Sequence, residues 1–390
     1  MHAPFLLLTD RPPVMALPRL SARARVLYTG DTPFRWKGYT WFLGGQRITR
    51  GESVADQLAY IKGEGFNLVR IFAAMKIVPE QRGLPAFMLS NAELQTVLQA
   101  VTRAGLYAEV TVGDMQLLMP DPTQQRAYLD SLEAGTHPRE TCNEPFKNGV
   151  DVAQMGRIDT AFHASGNYRR TAEVQGNTVI ERWPAVLDYV TNHSERKPEW
   201  PRTPHFAEEA WDGWDIPASQ NTSGPYKGKR LVFAGVRVPF IEDEPTGAAE
   251  VAEGNSRSNV PADFFDYAAC AGLFCAGATF HSSDGISAVM PGPIQRECAK
   301  QFSAGLDAIP VQAPDWEYTR GGSSRCPIAH VDLEDDPARG ALRTYAKFTG
   351  TFAVVLAIRP GPQWRAVPAN GWRFISQTGD RGNVVYLERS

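Results

Sequence analysis

No stretch of this chain approaches the roughly 18 consecutive apolar residues that a membrane-spanning helix requires. The apolar run near the N-terminus, Phe5 to Leu8, is too short for the core of a signal peptide and has no basic region ahead of it. The expectation is a soluble protein, cytoplasmic as made, with release from the cell left open. Cysteine is scarce. Cys142, Cys270, Cys275, Cys298 and Cys326 make an odd count with no C-x-x-C spacing, so neither a disulfide framework nor a zinc site is indicated. Excess charge of either sign is lacking too. A formal balance of -3 leaves no electrostatic footprint for nucleic acid and no basic stripe for an anionic membrane. Internal repeats and low-complexity tracts are absent as well. What remains is a neutral or mixed-charge molecule as partner, with no metal or cofactor called for and the oligomeric state unspecified.

What the chain does have is length and order. Its 390 residues suffice for one core of about 250 to 300 residues with a smaller appendage. Residues 1–30 read as a Pro-rich leader and a lead-in hairpin that turns at Gly30-Asp31. Strands then alternate with helices. Strand one is expected within Phe34 to Trp41, strand two at Phe66 to Phe72, strand three at Leu106 to Val112 and strand four at Arg139 to Asn143. Ser90 followed by Glu93 makes a capping box for a helix whose Leu94, Val97, Leu98 and Val101 recur at helical spacing until Gly105. Strand four is unusually polar for a buried parallel strand.

A fifth strand is not evident between Tyr168 and Ile180, the sixth falls within Trp183 to His193, the seventh within Leu231 to Glu244, and the eighth at Gly277 to His281. Further helices are expected at Pro122 to Leu132, Pro261 to Phe274 and Ile294 to Leu306, and Asp215 to Lys229 reads as a long loop. Beyond about Pro310 helical periodicity gives way to short strands separated by Gly-Pro, Asn-Gly and Gly-Asp turns. The fold class is thus α/β, a (β/α)8 TIM barrel over 31–310 with a small C-terminal antiparallel β domain over 311–390. The strands ahead of the barrel are expected to join that domain.

Two acidic stretches close strands of this pattern, Thr141-Cys142-Asn143-Glu144-Pro145 and Pro239-Phe240-Ile241-Glu242-Asp243-Glu244-Pro245. Cleaving an acetal near neutral pH needs a proton for the leaving oxygen and a carboxylate on the opposite face, and a pair of acids supplies both. The ordered segments W-K-G-Y-T-W, G-F-N-L-V-R-I-F, C-N-E-P, D-Y-V-T-N-H and P-F-I-E-D-E-P resemble clan A of the retaining glycoside hydrolases over about Phe34 to Ile309. The resemblance implies Glu144 as general acid/base, Asn143 as the group holding a sugar 2-hydroxyl, and Glu244 as nucleophile. Glu242 would lie one layer lower in the barrel, and Arg70 would support the nucleophile electrostatically. His193, His281, Tyr39 and Trp41 would complete the sugar site.

Each residue also has a plainer reading. Arg70 equally suits a structural ion pair, His193 and His281 suit the core, Tyr39 and Trp41 suit packing, and Asp114 and Asp284 suit turns. The function implied is double-displacement hydrolysis of a β-linked oligo- or polysaccharide. Two other readings stand beside it. One is an inactive barrel that binds carbohydrate. The other is a barrel enzyme of different chemistry, an aldolase or metal-dependent hydrolase, for which no His/Asp cluster or strand-end Lys is in place.

Overall fold

The structure is a computed structural model that describes residues 17–81, 83–140, 170–171, 173–174, 189–192, 214–216, 231–233, 239–242, 260–281, 290–311, 316–320, 325–331, 344–357, 364, 366–379 and 383–390. Its centre is a closed parallel sheet. Strands one to four are Trp36–Trp41, Leu68–Met75, Tyr107–Val112 and Arg139–Glu140. Strand five is two short pieces, Arg170–Thr171 and Glu173–Val174, joined through Ala172. Strands six to eight are Val190–Asn192, Phe240–Glu242 and Gly277–Phe280. Each pairs in parallel with the next, and strand eight pairs with strand one, Gly277 opposite Trp36, so the ring closes. Gly277 sits where the backbones come together. A β-carbon there would collide with the carbonyl oxygen of Trp36, and its φ of +153° favours glycine.

Leu231–Phe233, expected as part of strand seven, is instead paired antiparallel with Trp214–Ile216 in a separate ribbon. The barrel strand is Phe240–Glu242, which follows it within the expected range. Along strand two the two faces separate up to the register shift between Phe72 and Ala74. Val69, Ile71 and Ala73 pack with Leu58 and Ile61 of helix Ala55–Gly63 and with Leu94, Val97 and Val101 of helix Asn91–Arg103. Leu68 instead meets Trp36, Tyr107, Tyr189 and Ile241 from strands around the ring. Helix Asn91–Arg103 starts with the expected box. Ser90 accepts from the Glu93 backbone N–H, and the Glu93 carboxylate accepts from the Ser90 N–H.

The N-terminal strands Leu20–Arg23, Val26–Thr29 and Thr32–Phe34 form their own antiparallel sheet, contrary to the expectation that they join the C-terminal one. Leu20 and Leu27 lie against Trp36, Leu68, Tyr107 and Ile241, so this small sheet covers the apolar N-terminal end of the barrel. The C-terminal domain is a five-stranded antiparallel sheet in the order Glu317–Arg320, Thr344–Phe348, Phe352–Ala357, Val384–Arg389, Trp372–Thr378. A ribbon of Ile328–Val331 with Ala366–Pro368 lies beside it. Val354, Leu356 and Val384 from this sheet enter the main core. They pack on the barrel flank made by helices Pro261–Phe274 and Pro293–Asp307. Tyr386 donates to the carbonyl of Ala308 at 2.6 Å, and the Asn383 amide donates to buried Asp266 at 2.6 Å. Helix Pro261–Phe274 is therefore covered on all sides, as its nearly continuous apolar run F-F-D-Y-A-A-C-A-G-L-F requires.

His137, just before strand four, is sealed in neutral form. Its Nδ1 accepts from the Ala108 backbone N–H at 3.1 Å while Nε2 meets the Thr102 hydroxyl at 3.3 Å. Burial pushes its pKa down from 6.5 to about 4. An unfolded chain then binds a proton that the folded one excludes, so stability is full above about pH 6.5 and falls as pH drops toward 4. The contribution at stake is about 3 kcal/mol. Chemical denaturation between pH 7 and pH 4 is expected to show a shallower loss for His137→Gln than for the wild type. Parallel slopes for the two proteins would exclude it.

Candidate active site

Inside the barrel, beneath the C-terminal ends of its strands, lies a layer of polar side chains. Arg70 of strand two donates from Nε and Nη2 to Glu140 Oε2 of strand four, at 3.1 and 2.5 Å. Thr191 of strand six donates to the other oxygen of Glu140 at 3.0 Å. Glu109 of strand three brings a second carboxylate within 3.7 Å of Arg70 and accepts from the Tyr189 hydroxyl at 3.0 Å. Arg70, Glu109, Glu140 and Thr191 are each 0% exposed. Side chains in such a barrel stack in layers drawn from alternate strands, and branched apolar residues ordinarily fill them. Here strands two, three, four and six supply charged and polar side chains instead.

This arrangement explains the polar strand four. Glu140 turns inward to the guanidinium of Arg70. Arg139 turns outward and donates to the carbonyls of Leu129 and Leu132, capping the end of helix Pro122–Ser131. Neither charge reaches solvent, and each has its counter-groups.

Toward the strand exits, the Arg70 guanidinium lies 5.0 Å from the Phe72 ring centre, Phe72 stacks on Phe42 at 5.0 Å, and His281 meets Phe42 edge-on at 5.1 Å. His281, 1% exposed, thus stands at the end of strand eight against Phe42, just after strand one, which stacks on Phe72 within strand two. Asp114 adopts φ +50°, which Asp tolerates better than most residues, and its carboxylate accepts the backbone N–H groups of Lys76 and Ile77, both at 2.9 Å. It ties the exit of strand three to that of strand two, the turn role read from the sequence.

Three residues assigned to the sugar site face the wrong way. Tyr39 packs among Tyr60, Phe66 and Phe280, and Trp41 donates its indole N–H to Gln57 of helix Ala55–Gly63 at 3.2 Å. Both lie between sheet and helices, because inward parity on strand one belongs to Trp36, whose indole N–H donates to Thr279 of the neighbouring strand eight. Glu242 likewise points outward. It accepts from the Tyr267 hydroxyl of helix Pro261–Phe274 at 2.9 Å, while its neighbour Ile241 takes the interior position. Glu242 is therefore a barrel-to-helix tie rather than an interior group. Asn143, Glu144, His193, Glu244 and Asp284 lie outside the described residues.

Glu109, Glu140, Tyr189 and Thr191 went unassigned from the sequence. A signal for Glu140 was present, since it precedes Glu144 by four residues and an even spacing puts both on one side of a regular strand. Among the described residues no group of three or more His, Cys, Asp or Glu is arranged to hold a metal ion, and no helix is long and apolar enough to cross a membrane.

No family model matches the sequence, and no curated protein does. Solved structures do match in shape. A protein described as a glycoside hydrolase superposes with a TM-score of 0.62 over 96% of this chain and 97% of its own, at 13% identity. A glycoside hydrolase family 5 protein from Bacteroides vulgatus ATCC 8482 gives 0.62 over 95% and 93%, at 12% identity. The chain has the fold of these glycoside hydrolases. The native β-glucanase SdGluc5_26A from Saccharophagus degradans aligns over 75% of this chain and 94% of its own, with a TM-score of 0.51 and 13% identity. The first two alignments span nearly whole chains, so the glycoside-hydrolase fold here extends beyond the barrel to the appended β domain.

Proposed function

We propose that this chain is a retaining glycoside hydrolase that cleaves a β-linked oligo- or polysaccharide, with Glu144 as acid/base and Glu244 as nucleophile. One observation carries the reading. In a closed eight-stranded parallel barrel, the described parts of strands four and seven end at Glu140 and Glu242, Glu144 and Glu244 come four and two residues later in the sequence, and chemistry in this fold occurs at the C-terminal strand ends. Support comes from the whole-length likeness in shape to glycoside hydrolases. The β-glucanase among the neighbours makes β-glucans the first substrates to try.

In this mechanism Glu144 protonates the departing oxygen while Glu244 attacks the anomeric carbon, and Glu144 then deprotonates the water that releases the glycosyl-enzyme. Retention requires the two carboxyl groups to stand about 5 to 5.5 Å apart. The test is a screen of aryl β-glycosides and β-glucans, with the anomeric form of the first-released product read by NMR. The β-anomer is expected. The α-anomer would reject double displacement, and saturable binding without turnover would favour a carbohydrate-binding barrel.

A further inference from the structure

The ion pair of Arg70 and Glu140 lies in the barrel interior at a place where apolar side chains would pack as well or better. Removing two charges from water is costly, and replacing a buried pair by apolar residues of similar volume is often neutral or stabilising. Stability is thus a weak reason for a charged layer here. What distinguishes Glu140 is what it connects. Its two oxygens take hydrogen bonds from strand two, through Arg70, and from strand six, through Thr191. Its own backbone is the last described residue of strand four, paired to Thr111 on one side and Thr171 on the other. Glu144 follows Glu140 by four residues in the sequence.

We propose that Glu140 is a positioning residue for the strand-four acid: clamped by Arg70 and Thr191, it fixes the segment from which Glu144 reaches the leaving-group oxygen. This rests on the proposed function and deepens it. The second carboxylate of the cluster, Glu109, supplies the comparison. It shares Arg70 at 3.7 Å and is buried to the same degree, yet it belongs to strand three, which carries no proposed catalytic acid. Charge loss at either glutamate perturbs the same guanidinium. Only loss at Glu140 loosens strand four.

The measurement is kcat and KM of wild type, Glu140→Gln and Glu109→Gln on two substrates with one sugar, an activated aryl glycoside and an unactivated disaccharide, with melting temperatures taken alongside. A misplaced acid matters where the leaving group needs a proton. Glu140→Gln is expected to lower kcat on the disaccharide by up to about 100-fold with KM little changed, and to lower it much less on the aryl glycoside. Glu109→Gln is expected to change neither rate more than a few-fold. Equal losses in the two variants, or equal losses on the two substrates, would overturn the proposal.

Should Glu140→Gln not fold, the triple variant Arg70→Met, Glu109→Gln, Glu140→Leu replaces the whole charged cluster by groups of similar size. Folded with the same substrate-selective loss, it supports the positioning role. Folded with full activity, or not folded at all, it overturns it. Wild-type protein inactive on every glycoside would instead remove the functional reading on which the proposal stands.

Discussion

Replacing Glu144 with Gln is expected to lower kcat on unactivated glycosides by about 10²–10⁴-fold, the range contributed by a positioned general acid. The loss on aryl glycosides with good leaving groups is expected to be far smaller in the first step, because a phenolate departs without a proton. Glycosyl-enzyme then accumulates, since Glu144 is also the base that activates water in the second step. Burst kinetics with the aryl substrate read this directly. A uniform loss across leaving groups, with no burst, would remove Glu144 from the acid/base role.

A larger effect is expected at strand seven, and it separates two acids that stand two residues apart. Glu244→Gln leaves no carboxylate to attack the anomeric carbon, and turnover is expected to fall roughly 10⁴-fold or more on every substrate, as when other catalytic nucleophiles are lost. Glu242→Gln is expected to keep turnover. Its carboxylate is fully buried against Tyr267 on the helix side of the sheet, and a Gln carbonyl oxygen accepts the same hydroxyl proton. Its effect should appear in the melting temperature. Steady-state rates and thermal melts of the two variants decide the matter, and a Glu242→Gln variant as inactive as Glu244→Gln would contradict the placement of these acids.

The barrel was legible in the sequence wherever helix and strand differ in period. Leu94, Val97, Leu98 and Val101 mark one helix face, and Phe66 to Phe72 marks a strand, with the structure following both within a few residues. Strand five was not legible. Its four described residues, Arg170, Thr171, Glu173 and Val174, contain one large apolar side chain and are too short to show a period. The orientation of strand-end residues was not legible either, for a different reason. A parallel barrel strand is buried on both faces, so its sequence lacks the polar and apolar alternation that would say which parity faces inward. W-K-G-Y-T-W reads the same whether Tyr39 and Trp41 line the interior or pack under helices, and only the pairing with strands two and eight resolves it.

Strand four shows the converse. Its polarity counted against a buried strand, yet each charge has a specific partner: Glu140 with Arg70 inside, Arg139 with helix-end carbonyls outside. Arg70 lies 70 residues from Glu140 in the chain, and no local pattern announces that pairing. Asp114 was legible as a turn acid because it follows Gly113 at the end of strand three, although the N–H groups it accepts lie 38 and 37 residues earlier in the chain.

The most direct test of the account is to trap the covalent intermediate. A mechanism-based fluoro-glycoside of the sugar found in the substrate screen, incubated with wild-type protein and followed by proteolysis and peptide mass mapping, is expected to leave one glycosyl label on Glu244. A label on Glu242, or turnover of the natural substrate with no label anywhere, would contradict it.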